Sequence, residues 1–360
     1  MSEDLVRFNM TNDIELRIDI RAGDDPETTD YEIAAAEPNN WTATVFADTT
    51  GTRSTGRPRV GASITNRSVL GFRDAATVFG LASEGSKSVM GSYSFPLGSR
   101  GTRLTASASY GDVEVIQGPS ADADVTGTSA YYSLRLDQPV YVSADAKWTV
   151  FSEWSRQKSS TDFWGVTINE NKIDAWTGGL EAILLGDRSV VYASTGYSHQ
   201  RVKEETFGEE WRQNLFTGNA FWRWRALETV SFSLSGAWQT VVSGDALSTS
   251  QYFYLGHTSG VRGYDNDVLS AEEGAYLNAQ IDWAFMGPRT SLFVFADAGR
   301  LAGTSSYEKR TLASVGAGVV WPLWSGASVT GSFGVPLIRD IGADLHVNKA
   351  RFDLAVIAAW

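Results

Sequence analysis

The feature that most constrains this chain is a repeated alternation of apolar and polar residues. From Trp41 onward, alternating segments are separated by clusters of Gly, Ser, Asp, Asn and Pro. Alternation with a period of two places all apolar side chains on one face of an extended strand. It predicts sixteen strands, over residues 41–48, 58–66, 75–83, 87–96, 102–112, 125–138, 145–157, 170–184, 189–201, 212–226, 229–241, 274–286, 290–299, 311–321, 326–336 and 350–360.

The composition removes several classes of protein. The chain has 360 residues, no cysteine and a net charge of −12. The lack of cysteine excludes disulfide frameworks, zinc ribbons and thiol catalysis. The negative net charge is not that of a nucleic-acid-binding protein. No segment approaches the roughly 18 apolar residues of a transmembrane helix. A membrane β-barrel stays possible, because alternation averages its hydropathy to near zero.

The two faces of the predicted strands favour a membrane barrel over a large soluble all-β protein. Small residues stand between the large ones on the apolar faces, which suits lipid better than a packed core. Aromatic residues cluster near strand ends, as in the interfacial girdles of barrels. An even-numbered closed barrel also leaves no unpaired strand edge. We therefore predict an all-β fold, a 16-stranded antiparallel transmembrane β-barrel, with no helical period anywhere.

The sequence offers little catalytic chemistry. His199, His257 and His346 are far apart, and no nucleotide-binding, metalloprotease or hydrolase motif occurs. We expect no enzyme activity, no catalytic residue, no cofactor and no metal. An outer-membrane hydrolase stays an open alternative for which no residue can be nominated.

The most informative stretch is the long connection over residues 242–273. Hairpin connections usually contain 2–5 residues, and long ones are commonly functional. This connection is dense in aromatic residues and glycines, which predicts that it packs inside a wide barrel. It contains the sequence Val261, Arg262, Gly263, Tyr264.

These four residues resemble the VRG[FY] signature of the BamA-type outer-membrane superfamily. Residues 255–256, 269–276 and Asn278 are similar to the two-partner secretion transporters, the TpsB-type haemolysin secretion/activation family (ShlB/FhaC/HecB). The segment 295–299 matches the F-x-D-x-G motif of the strand that follows in this family. The resemblance implies a sixth extracellular loop that folds back into the lumen.

The resemblance also implies roles for individual residues. Arg262 would pair with Asp297, which shares the predicted lumenal face with Phe295 and Gly299. Gln280 stands where family members often carry an acid, so that Gln280 and Asp282 form a candidate secondary network. The last strand would carry the signal read by the barrel assembly machinery, on the face that holds Phe352, Leu354, Val356 and Trp360.

The implied domains are a remnant of a periplasmic POTRA domain with its linker over residues 1–33, and the barrel over residues 34–360. Because residues 1–5 lack the features of a signal peptide, we expect the chain to be incomplete at its N-terminus. The implied function is secretion of a large TpsA-type exoprotein (haemolysin, adhesin or contact-inhibition toxin) through the barrel, gated by the VRGY loop. Further expected partners are outer-membrane lipid and lipopolysaccharide, without nucleic acid. The alternatives are a BamA- or TamA-like assembly factor and a passive diffusion porin.

Overall fold

Sixteen antiparallel strands close into one barrel, which confirms the predicted fold class. The computed structural model describes residues 2–22, 25, 27–118, 120–244, 247–266, 268–287, 289–304, 310–342 and 347–360. β1 Glu15–Ala22 pairs with β2 Thr29–Ala36, and β14 Phe253–Leu255 pairs with β15 Leu269–Ala271; neither pair belongs to the barrel sheet. The barrel strands are β3 Trp41–Asp48, β4 Arg59–Asn66, β5 Ala75–Ala82, β6 Ser86–Pro96, β7 Arg103–Glu114, β8 Val125–Val142, β9 Ala146–Phe163, β10 Val166–Gly186, β11 Ser189–Glu204, β12 Glu209–Arg225, β13 Val230–Gly244, β16 Glu273–Ala284, β17 Ser291–Ala302, β18 Thr311–Trp324, β19 Ala327–Pro336 and β20 Arg351–Ala359.

The alternation of the sequence becomes an inner and an outer face. In β17 the side chains of Phe295 and Asp297 are buried on the inner face, whereas Val294 on the outer face is 52% exposed. In β20, Asp353 is buried whereas Phe352 is 65% exposed on the outer face. The barrel thus presents apolar side chains outward and polar side chains to its lumen.

The strands differ greatly in length around the barrel. β3, β4 and β5 have 8 residues each, whereas β10 has 21. A tilted strand needs about 9–11 residues to cross a bilayer. The sheet formed by β8–β12 therefore rises well beyond the membrane at the end of the barrel that carries the longer loops.

Ahead of the barrel, the chain forms a helix and a hairpin. The prediction of no helix is wrong, because α1 spans Ser2–Thr11. With 10 residues it shows too few turns for a period to stand out, and the Thr11 hydroxyl and Asn12 amide complete its end by donating to carbonyls of the last turn. β1 Glu15–Ala22 pairs with β2 Thr29–Ala36. Among the described residues, no helix has the length and apolar character needed to cross a membrane.

The helix lies at the mouth of the barrel opposite the long loops. The Lys147 ammonium of β9 donates to the Met10 carbonyl at 3.1 Å, which satisfies a carbonyl at the C-terminus of α1. Asp13 forms an ion pair with Arg73 of the connection between β4 and β5. These contacts hold the segment before the barrel against the barrel rim.

The barrel closes where its last strand meets its first. β20 pairs with β3 over Ala355–Ala359, and the backbones of Trp360 and Ala43 exchange hydrogen bonds of 2.9 and 3.1 Å. The preceding pair, β19 and β20, matches eight positions, from Gly334–Arg351 to Ala327–Ala358. The closing seam is therefore held by a short ladder.

Candidate functional site

The loop between β13 and β16 folds into the barrel and carries its own small core. It contains β14 Phe253–Leu255 and β15 Leu269–Ala271, a paired hairpin that the sequence did not predict. Its side chains pack with those of β17, β18 and the loop before β20, and full burial of one such side chain is worth about 1.5–3 kcal/mol. The buried members of this cluster are Leu255, Val261, Tyr264, Leu269, Ala271, Leu301, Leu312 and Ile341.

Arg262 is bound to Asp297 of β17 by three hydrogen bonds. The guanidinium donates through Nε to Oδ2 and through Nη2 to Oδ1, both at 2.8 Å, and the backbone amide of Arg262 donates to Oδ2 at 3.0 Å. Such bidentate, charge-assisted pairs are among the strongest polar contacts in proteins. The Asp297 side chain is fully buried and that of Arg262 is 23% exposed, so that this pair is scarcely screened by water.

Two further contacts complete the arginine site. Nη1 of Arg262 donates to Oε1 of Gln280 at 2.6 Å, and Gln280 Nε2 donates to Asp282 Oδ1 at 2.9 Å. The guanidinium carbon also lies 3.8 Å from the ring centre of Phe295, a cation–π contact. The structure thus brings Gln280 into direct contact with Arg262 and places Asp282 one residue further away.

Glycines allow the loop backbone to approach the wall. Gly263 has φ +92°, a conformation that other residues rarely adopt, and it lies directly against Gly334 of β19. A Cβ on Gly334 would stand 2.7 Å from the Cα of Gly263. Gly299 of β17 leaves the space that the side chains of Leu255 and Val261 fill.

Tyr264 anchors the end of the motif. Its side chain is 1% exposed, and its hydroxyl lies 2.8 Å from the carbonyl oxygens of both Ala313 and Ile338. Val261 at the other end is fully buried. All four motif residues therefore contact the inner wall or the core beneath it.

A second set of contacts ties the loop across the barrel seam. Asp265 pairs with Arg57 of the loop between β3 and β4, and with Arg351 of β20 at 3.1 Å. Asn266 donates to the Thr50 carbonyl. The sequence analysis did not predict these contacts. The one feature that could have indicated them is the charge of Arg351, which lies on the predicted lumenal face of the last strand. The loop thus bridges the first and last strands, whose own ladder is short.

His257 is enclosed between the loop and the wall. Its Nδ1 lies 3.4 Å from Oδ2 of Asp353, and its side chain is 9% exposed. Burial, together with the guanidiniums of Arg351 and Arg262, lowers the pKa of His257 to about 4. The neutral imidazole is therefore the form that fits the docked loop.

Acidification is expected to loosen the docked loop. A free imidazole titrates near pH 6.5, whereas docked His257 titrates near pH 4, so the docked state is fully favoured above pH 6.5 and loses stability as the pH falls towards 4. We expect roughly tenfold more frequent channel opening at pH 5 than at pH 7.5 in planar bilayers. His257→Gln should remove most of this dependence, and an unchanged pH profile in that variant would contradict the assignment.

The remaining predicted residues occupy other places. Phe352, Leu354, Val356 and Trp360 lie on the outer face of β20 or at its end, and His199 faces outward from β11. His346 lies outside the described residues. Within the described ranges, no cluster of His, Asp and Glu side chains is arranged to hold a metal ion.

These features define a class: a sixteen-stranded barrel with an apolar outer face, whose lumenal loop is held by an arginine–aspartate pair on the inner wall. The model of the family described as haemolysin secretion/activation protein ShlB/FhaC/HecB matches residues 27–321, and the chain belongs to this family. It is a two-partner secretion transporter of the Gram-negative outer membrane, as predicted from the motif residues.

Solved structures share the fold. CdiB from Escherichia coli is 19% identical with a TM-score of 0.81, covering 99% of this chain and 69% of that chain. CdiB from Acinetobacter baumannii is 17% identical with a TM-score of 0.78, covering 100% and 67%. BamA from Haemophilus ducreyi lacking POTRA domains 1–3 is 12% identical with a TM-score of 0.59, covering 98% and 77%. A comparison with curated proteins finds no match.

Proposed function

We propose that this transporter moves its exoprotein through the barrel lumen and that the VRGY loop is the gate. The observation that carries the proposal is the Arg262–Asp297 pair, which holds the loop against the inner wall through three hydrogen bonds. A fully buried carboxylate makes the docked state well defined, because undocking leaves Asp297 without its counter-charge. The loop therefore has a docked and an undocked position, separated by the loss of one set of contacts.

The space beside the docked loop suits an unfolded chain. A cavity of about 370 Å³ lies between the loop and the facing wall, lined by Ser233, Ser235, Asn278 and Phe221 among others. Hydroxyl and amide groups can exchange hydrogen bonds with any passing backbone without selecting one sequence. The mechanism proposed is conduction rather than catalysis, with folding of the exoprotein outside the cell as the driving force.

The partner proposed is a large TpsA-type exoprotein of the haemolysin, adhesin or contact-inhibition toxin class. It would arrive unfolded at the barrel mouth where α1 and the β1–β2 hairpin lie. We propose that residues 1–33 belong to a periplasmic POTRA domain and its linker. The contacts of Lys147 with Met10 and of Arg73 with Asp13 support this placement, because they fix that segment at the entrance of the lumen.

The test is secretion of a TpsA-type exoprotein in cells that carry the transporter or lack it. Loss of the exoprotein from the medium, with unchanged levels of other outer-membrane proteins, is the expected result. A fall in the inserted amounts of unrelated barrels would instead favour an assembly factor of the BamA or TamA type. Size-selective solute uptake without a secretion defect would favour a porin.

The C-terminal strand is proposed to carry the signal for the barrel assembly machinery. Trp360 is 66% exposed on the outer face, and its backbone closes the barrel with Ala43. Trp360→Ala should lower the inserted fraction severalfold, as measured by heat-dependent mobility in gels, while the purified barrel keeps its stability. Trp321→Ala, which removes an outward tryptophan from β18, is the control. Equal insertion of the two variants would argue against a signal at Trp360.

Outer-membrane lipid and lipopolysaccharide are the remaining proposed partners.

A further inference from the structure

The outer face of the barrel carries three lysines in one row. The register pairs Lys158 of β9 with Lys172 of β10, and Lys172 with Lys203 of β11. Neighbouring strands are about 4.8 Å apart, which brings the three ammonium groups within reach of one another. Like charges directly opposite each other destabilise a sheet. Lys203 is offset by two acids, since Glu205 pairs with it at 3.0 Å and Glu210 stands opposite it on β12, whereas Lys158 and Lys172 stand opposite each other.

A second row of charges lies two residues closer to the membrane. It consists of Arg156, Asp174, Arg201 and Arg212 in successive register on β9 to β12. Arg156 binds Asp174 at 2.5 Å, and Arg201 binds Glu210 of the lysine row at 2.7 Å. The two rows together, here called the basic patch, hold six cations and two acids, and Glu205 bound to Lys203 is a third acid beside them. This local excess is opposite in sign to the net charge of −12 of the whole chain.

The height of the basic patch matches the headgroup layer of the outer leaflet. Directly below it, Trp154 and Trp176 are cross-strand partners, and the outward face of β10 continues with Leu180, Ala182 and Leu184. Tryptophans of barrels mark the membrane interface. The outward-facing residues two and four positions beyond these tryptophans lie about 7 and 13 Å further along the strand. The cations therefore stand at the level of lipid phosphates, on the side of the barrel that faces lipid.

We propose that the basic patch binds the phosphate groups of lipopolysaccharide. The argument is charge complementarity at a defined depth: three adjacent lysines, of which only Lys203 has an acid directly opposite, on the lipid-facing surface, in a membrane whose outer leaflet bears a phosphorylated glycolipid. Lysine and arginine bind phosphate through charge-assisted hydrogen bonds. Binding would also relieve the repulsion within the lysine row. The proposal gives a site to the proposed lipid contact and needs only the outer-membrane location, not the export mechanism.

The test compares the purified chain with the variant that combines Lys158→Gln, Lys172→Gln and Lys203→Gln. The probes are lipid A with both phosphates, the same lipid without phosphates, and inorganic pyrophosphate, with binding measured in detergent by native mass spectrometry. We expect the triple variant to bind diphosphorylated lipid A about tenfold more weakly, and the unmodified chain to prefer it over both other probes. The control carries Lys87→Gln and Arg300→Gln, two outward cations on β6 and β17.

Several results would overturn the proposal. They are equal binding of lipid A by the triple variant, equal binding of the dephosphorylated lipid, or pyrophosphate binding as tight as that of lipid A. Lost secretion with unchanged lipid A binding would assign the patch to the exoprotein instead. Removing like charges should not impair folding, which heat-dependent mobility checks, and the single variant Lys172→Gln repeats the test at the centre of the row. A secretion defect in the Lys87 and Arg300 control would concern the export proposal alone.

Discussion

Replacing Arg262 with alanine is expected to lower secretion at least tenfold while the barrel still assembles. The substitution removes the two guanidinium hydrogen bonds to Asp297 and the one to Gln280, and it leaves Asp297 buried without a counter-charge. Breaking a buried pair in this way costs about 3–5 kcal/mol. A loss of that size shifts the loop from mainly docked to mainly undocked. We therefore also expect persistent channel conductance in planar bilayers.

Arg135→Ala is the matched control for this experiment. Arg135 is also a lumenal arginine, bound to Asp137 at 2.7 Å and Glu181 at 2.5 Å and stacked on Phe151 at 3.9 Å. It lies on β8, away from the loop, and its loss should reduce secretion far less. The double variant Arg262→Ala with Asp297→Ala should recover part of the docked population, because no buried charge is left alone. Full secretion by Arg262→Ala would refute the gating role of the pair.

The second large effect is expected from Gly334→Ala, which changes no charge and no hydrogen-bonding group of the site. Its Cβ would stand 2.7 Å from Gly263 Cα and 2.8 Å from Gly263 N. Because those atoms are backbone, the loop has to move. We expect loop cleavage by trypsin at Arg262 to accelerate about tenfold, since cleavage follows the population of the undocked loop.

Gly331→Ala is the control on the same strand. A Cβ at Gly331 would meet nothing closer than the Phe352 ring at 3.7 Å, an ordinary contact on the lipid side. Both variants should show the heat-dependent mobility of a folded barrel. If Gly334→Ala is cleaved no faster than Gly331→Ala, the close packing of the loop against β19 does not hold it in place.

The combination of the two experiments separates charge from shape. Arg262→Ala removes the ionic contact and keeps the glycine packing, whereas Gly334→Ala does the reverse. Similar loss of secretion in both would show that export needs the docked position itself. Loss in Arg262→Ala alone would assign the arginine a role in contact with the passing exoprotein.

Local sequence pattern was sufficient for the barrel strands, because a period of two is imposed on each strand separately by lipid on one side and water on the other. The faces of β17 and β20 followed from the same alternation. The helix α1 and the hairpin inside the loop were missed, because each is too short for a period to be visible. The partner of Arg262 was predicted through the resemblance of residues 261–264 and 295–299 to a family, not through alternation.

The contacts across the seam depended on the tertiary structure. Asp265 and Arg57 are 208 residues apart, and Arg351 donates to the carbonyl of Thr49, 302 residues away. No local pattern relates such positions, since barrel closure alone brings the first and last strands together. The row of Lys158, Lys172 and Lys203 has the same origin, because strand register decides which residues become neighbours. By itself the sequence determined the strands, their two faces and the family motif, because all of these depend on nearby residues. Barrel closure and strand register join distant segments, and they decided how the loop is held and where the charges meet.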